Sequence, residues 1–148
     1  MRGSGDRILV IDEGTTSTRA IVFDVAGQGR EVQQQPVDSH YPRPGWVEQD
    51  PEAIWRSTLQ CARQAVIAGG GADRIAAIGI TNQRETIVFW DRRSGEALAP
   101  VIVWQDRRTA TICNDLRKAG REAEVQARTG LLLDPYFSAS KIQWAVAN

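Results

Sequence analysis

The sequence predicts an α/β fold, and three observations lead there. Short β-rich runs joined by glycine-containing turns fill the first forty residues, as in antiparallel hairpins. After them, apolar runs of strand length alternate with segments of helical periodicity. A chain of 148 residues with 42% hydrophobic residues can also bury a core without disulfides or a structural metal.

The first strand is the apolar run Ile8, Leu9, Val10, Ile11, closed by Asp12, and Glu13-Gly14-Thr15-Thr16 is a turn signal. A second strand is predicted over residues 17–24 and a weaker third over 31–37, which Pro36 confines to an edge or a strand end. Two prolines and Gly45 make residues 40–50 a loop. Asp50-Pro51 then starts a helix, with a carboxylate cap, proline in the first turn and Glu52 behind it. Ile54, Trp55, Leu59, Ala62 and Val66 give that helix one apolar face, and Gly69-Gly70-Gly71 stops it. Residues 75–81 read as a strand covered on both faces, 85–90 as another strand closed by the turn Arg92-Arg93-Ser94-Gly95, and 101–104 as a third. Helices are predicted over 109–119, 121–129 and 138–148, the last containing Ile142, Trp144 and Val146.

The 18 Lys and Arg residues balance 18 Asp and Glu, so the basic field on which nucleic-acid and anionic-membrane binders rely is missing. Cys61 and Cys113 form no CxxC pair, so neither a zinc site nor a disulfide framework is indicated, and Cys61 falls on the apolar helix face. The start, Met1-Arg2-Gly3-Ser4-Gly5-Asp6, has no apolar core of signal-peptide length, and no run approaches the ~20 apolar residues of a membrane span. A soluble cytoplasmic protein is expected.

The stretch richest in chemistry is Asp12-Glu13-Gly14-Thr15-Thr16-Ser17-Thr18-Arg19. A carboxylate ending an apolar strand can hold a divalent cation through water, and Gly14 lets the backbone turn tightly and approach a ligand. Thr15, Thr16 and Ser17 gather hydroxyls and N–H groups, Arg19 adds charge, and together they suit a phosphate cradle. The bland alternative is a polar hairpin tip, which favours the same residue types. In Thr81-Asn82-Gln83-Arg84-Glu85-Thr86 an adjacent cation and anion can bind a polyol, Arg84 donating and Glu85 accepting, or form an exposed turn. Trp104 suits a substrate wall or a core, Tyr136-Phe137 reads more readily as core, and His40 lacks the neighbours of a base. Arg107-Arg108 at a helix start opposes the macrodipole, which leaves a solvated pair or arginines turned toward an acidic partner.

These segments, with Tyr41-Pro42-Arg43-Pro44-Gly45-Trp46-Val47-Glu48-Gln49-Asp50, Ile102-Val103-Trp104-Gln105-Asp106-Arg107-Arg108 and Thr129-Gly130-Leu131-Leu132-Leu133-Asp134-Pro135-Tyr136-Phe137-Ser138, resemble the glycerol kinases of the FGGY carbohydrate kinase family. The resemblance implies a ribonuclease-H-like (actin-superfamily) α/β domain, residues 1–148 being the N-terminal part of the first of two domains. It implies ATP-dependent phosphorylation of glycerol to glycerol 3-phosphate with Mg²⁺. Asp12 would sit near the metal, Thr15, Thr16, Ser17 and Arg19 would contact the nucleotide phosphates, and Arg84, Glu85, Trp104 and Tyr136 would bind glycerol.

The family's catalytic Asp base would lie beyond residue 148, so the chain alone is expected to turn over little or nothing. Glycerol is the expected small-molecule partner, with no nucleic acid and no membrane insertion, and a homo-oligomer of the full-length protein stays open. Other readings are a related FGGY sugar kinase, a non-catalytic binding remnant of the fold, and an actin-like ATPase. One departure is Glu13, where the family generally has Gln; a charge beside phosphates weakens binding unless it is paired or turned away.

Overall fold

The computed structural model describes residues 5–148, so residues 1–4 of the Met1-Arg2-Gly3-Ser4 start lie outside the described residues. These residues fall into two compact units, one running up to Asp38 and resuming over Asp50–Gln83, the other made of Ser39–Gln49 and Arg84–Asn148.

The first unit holds a four-stranded sheet. Its strands are β1 (Arg7–Glu13), β2 (Ser17–Phe23) and β3 (Gly29–Pro36), followed by helix α1 (Pro51–Ala68) and strand β5 (Ile75–Asn82), in the order β3-β2-β1-β5. The β1–β2 and β2–β3 pairs are antiparallel and β1–β5 is parallel, with α1 in the crossover between β3 and β5. Proline-containing β3 is at an edge, as its sequence required. The core is where β1 and β2 meet α1: Leu9, Ala20, Val22, Cys61 and Ala65 are buried together, with Ile11, Ala62, Val66 and Ile75 against them. Asp50 caps α1 by accepting from the Glu52 amide at 2.9 Å.

The second unit is built on little regular sheet. Strand β4 (Glu48–Gln49), inside the predicted loop, pairs with β6 (Val101–Ile102). Helices α2 (Ala110–Lys118), α3 (Glu122–Thr129) and α4 (Ser138–Ala147) follow, with Gly120 and Gly130 at positive φ behind α2 and α3.

Four expectations are corrected. Strand β5 is not covered on both faces: Ile78 is 61% and Ile80 73% exposed, because β5 is the outermost strand of the sheet. Residues 85–90 form no strand; only isolated bridges, Ile87 to Ile102 and Trp90 to Ala97, tie them down. On α1, Trp55 is 57% exposed, since the buried stripe is centred on Cys61 and Ala65. On α4 the apolar residues Ile142 and Val146 are exposed, whereas Ser140 and Lys141 are buried. No helix among the described residues is long and apolar enough to cross a membrane.

Candidate functional site

In the first unit, sheet register brings the candidate phosphate residues together. Asp12 lies opposite Arg19 on β2 and Thr81 on β5, and Glu13 lies opposite Thr18 and Asn82. The carboxyl ends of two parallel strands and one hairpin tip thus converge, the place where open α/β sheets bind ligands. Gly14 closes the hairpin by donating to the Ser17 carbonyl at 3.1 Å. A Cβ on Gly14 would lie 2.9 Å from that oxygen, so the turn excludes every side chain. The Gln83 amide donates to the Gly14 carbonyl at 3.3 Å, and Val37 N–H to the Thr16 carbonyl at 3.0 Å.

The predicted residues divide by exposure. Asp12 and Arg19 form an exposed ion pair at 3.4 Å. Thr16 is exposed and Thr15 half-buried, whereas Ser17 is buried. Among the described residues no three His, Cys, Asp or Glu side chains group as a metal cage. A lone carboxylate such as Asp12 suits Mg²⁺, which keeps most of its waters and takes other oxygens from phosphates.

Glu13 is turned away from the tip and paired. Its two carboxylate oxygens accept from the Thr18 hydroxyl at 2.5 Å and from the Thr58 hydroxyl of α1 at 2.6 Å. The carboxylate therefore fastens the hairpin to the helix. Burial first, and the Glu13 charge second, push the nearby Cys61 thiol up, so it stays protonated and unreactive, as expected of a core cysteine.

In the second unit, hydrogen bonds between irregular segments build the candidate acceptor site. Glu85 has φ +65°, the only non-glycine residue at positive φ among those described. Its Oε2 accepts both the Ser138 amide, at 2.8 Å, and the Ser138 hydroxyl, at 2.6 Å. Among the described residues Oε1 has no such bond. The Ser138 hydroxyl foremost, then its amide and the Lys141 and Arg84 charges, hold the Glu85 carboxyl below the usual carboxylate range. Arg84 beside it is exposed.

Thr86 accepts from the Trp104 amide at 3.1 Å, which ties the Arg84-Glu85 segment to the aromatic residues. The Trp104 and Tyr136 rings meet edge to face at 5.8 Å, and Phe137 packs on Tyr136 at 5.1 Å. Both Trp104 and Tyr136 are half-buried. A fixed carboxylate oxygen, an exposed guanidinium and an aromatic wall suit a small molecule with several hydroxyls.

Arg107 stays exposed, whereas the Arg108 side chain does not. The Arg108 side chain is 3% exposed, paired with Asp106 and Glu48 at 2.8 Å each, and lies 3.7 Å over the Trp46 ring. Arg107 pairs with Asp134 at 3.0 Å. The acidic partner hinted at by the macrodipole mismatch is thus the chain itself. Asp106 also accepts from the Val47 amide at 2.7 Å, closing the proline loop over this network. Sequence reasoning missed Thr58, Ser138 and Lys141; the one signal for them was a lysine set inside a mostly apolar helix.

The family model "FGGY family of carbohydrate kinases, N-terminal domain" matches residues 7–148. The chain is 59% identical over 139 residues to the glycerol kinase of Gluconobacter oxydans, covering 94% of this chain and 27% of that protein. With the Sinorhizobium fredii glycerol kinase the identity is 56% over 145 residues, covering 97% and 29%. The Plasmodium falciparum glycerol kinase crystallised with ADP superimposes with a TM-score of 0.88 at 31% identity, over 96% of this chain and 29% of that one. A xylulose kinase from Rhodospirillum rubrum gives 0.87 at 28% identity, over 96% and 29%. The chain therefore spans less than a third of the length of these relatives.

Proposed function

The chain belongs to the FGGY family of carbohydrate kinases and has its ribonuclease-H-like fold, and from that premise we propose that it supplies phosphate-binding and acceptor-binding side chains for ATP-dependent phosphorylation of glycerol to glycerol 3-phosphate. The observation that carries the acceptor half is Glu85: a carboxylate with one oxygen tied twice to Ser138 and the other without such a bond among the described residues.

In this reading Glu85 Oε1 accepts a glycerol hydroxyl and Arg84 donates to another, while the Trp104 and Tyr136 rings take the carbon skeleton and exclude bulkier substrates. Fixing the triol in one orientation supplies the positional part of the rate, since phosphoryl transfer asks the protein chiefly for placement and charge neutralisation. On the phosphate side, the N–H groups and hydroxyls of Thr15, Thr16 and Ser17 donate to nucleotide phosphate oxygens. Arg19 would neutralise a phosphate, and Asp12 would hold Mg²⁺. When bound, Mg²⁺ would draw charge from the phosphate oxygens. Glu13 keeps its charge toward Thr18 and Thr58, so the departure from glutamine does not set an anion against the phosphates.

Joining residues 1–148 in one reading frame to the remainder of the Gluconobacter oxydans glycerol kinase tests this proposal. The fusion is expected to release ADP in a glycerol-dependent manner, and Glu85→Ala to raise the glycerol KM by at least tenfold with the ATP KM unchanged. A fusion that folds but prefers a pentose to glycerol, or whose Glu85→Ala variant keeps the parent KM, would refute it.

A further inference from the structure

We propose that Ser138 and Lys141, on the first turn of α4, are positioning residues of the acceptor site: Ser138 aims the Glu85 carboxylate, and Lys141 fixes the peptides on either side of the Tyr136 Cα. The inference rests on the acceptor reading above and deepens it by naming what holds that site in shape.

Lys141 is the largest wholly buried side chain of the chain's described residues, at 0% exposure. Its ammonium donates to two successive carbonyls, Pro135 at 2.7 Å and Tyr136 at 2.5 Å. Burial pushes this ammonium below the usual lysine range, while the Asp106, Glu85 and Asp134 carboxylates, and Cys113, favour its charge. A leucine or methionine would fill the same space without the desolvation cost, so packing alone does not account for a charge here. What the ammonium does, and an apolar side chain cannot, is bind two carbonyls at once. That fixes the planes of consecutive peptides and with them the direction of the Tyr136 side chain between them. The ring so directed is the one that meets Trp104.

Two residues along the chain, Ser138 spends both its donors on one oxygen of Glu85, 53 positions earlier in sequence. Those two bonds decide which way the other oxygen faces, and they hold a residue whose φ of +65° is unfavourable without such support. One helical turn thus locks both the carboxylate and the aromatic wall. Neither Ser138 nor Lys141 needs to touch the substrate to do so.

The test uses the 148-residue chain and two variants, Lys141→Met and Ser138→Ala, with three readouts: melting temperature, exchange of the Ser138 amide, and glycerol affinity by NMR titration. Lys141→Met is expected to melt within about 5 °C of the parent. Its Ser138 amide should exchange at least tenfold faster while the buried α2 amide of Cys113 stays within threefold, and glycerol should bind at least tenfold more weakly. Ser138→Ala is expected to weaken glycerol by at least tenfold and to leave ADP-induced shifts at Thr15 and Thr16 unchanged. A folded Lys141→Met chain with parent-like Ser138 exchange and glycerol affinity would overturn the proposal. Should that variant not fold, parent-like glycerol affinity in Ser138→Ala overturns it. If the parent itself does not bind glycerol, the fusion with the Gluconobacter oxydans remainder decides the acceptor reading, and the Ser138 exchange rate alone decides whether Lys141 orders this turn.

Discussion

The hairpin tip of the first unit and the acceptor loops of the second place their functional groups by different physics. At the tip, Asp12, Glu13, Thr18 and Arg19 are where they are because β1 and β2 pair in one register, with period-two alternation assigning each side chain a face. In the acceptor region no ladder reaches Glu85 or Tyr136, and the tethers are polar: part-buried bonds from Ser138 hold Glu85, Lys141 holds the carbonyls of Pro135 and Tyr136, and Asp106 separately ties Arg108 and Val47. A ladder is redundant and forgives the loss of one bond. A tether is single, and its loss leaves a buried group unpartnered.

The sharpest way to break this contrast is Asp106→Ala. It leaves the Arg108 guanidinium with one partner instead of two and strands the Val47 amide, and removing one member of a buried charge network costs about 3–5 kcal/mol. Exchange of the second unit's amides, such as Cys113, should accelerate by orders of magnitude while those of β1 and β2 keep their protection. Equal loss in both units would erase the distinction.

Next in size is Gly14→Ala, which sets a Cβ 2.9 Å from the Ser17 carbonyl and forces the tip open at about 1–3 kcal/mol. The rest of the ladder should survive, so the melting temperature falls modestly while ADP affinity drops at least tenfold. Unchanged ADP affinity would take the tip out of the site.

A smaller effect follows from acidification. Because the folded state lowers the Glu85 pKa, its stabilising contribution is full above the ordinary carboxylate value of about 4.3 and fades as pH falls through the lowered one. The Ser138 amide should lose protection in that acid window ahead of the amides of β1. Loss of both together would mean global acid unfolding instead of release of one tether. The mildest change is Glu13→Gln, which keeps an acceptor for one threonine hydroxyl and removes a charge. Stability should move by about 0.5–1 kcal/mol or less, and ADP affinity by less than threefold. A tenfold gain in ADP affinity would mean that the Glu13 charge reaches the phosphates after all.

The same contrast explains how much the sequence disclosed. Strands β1 to β3, the capped helix α1 and the glycine stops of α2 and α3 were all legible, because each depends on neighbours within a few positions: Asp50 before Pro51, Gly120 and Gly130 behind their helices. The candidate phosphate residues were legible for the same reason. Residues 85–90 carry the composition of a strand but find only isolated bridges, and nothing local in Glu85 announces a φ of +65°. Arg108 and Lys141 look like surface cations until a residue 60 positions away, or carbonyls five and six positions back, enclose them. Strand β5 was misjudged because its coverage depends on its place in the sheet, which a continuous apolar run does not specify.

The most direct measurement is a pair of NMR titrations on one sample of the 148-residue chain, first with Mg·ADP and then with glycerol. If the two regions carry the two halves of a glycerol kinase's ligand set, ADP will shift the amides of residues 12–19, and glycerol will shift those of Arg84, Glu85 and Tyr136 together with the Trp104 indole. Glycerol shifts confined to other residues, or ADP shifts that leave the hairpin tip untouched in a folded chain, would contradict it.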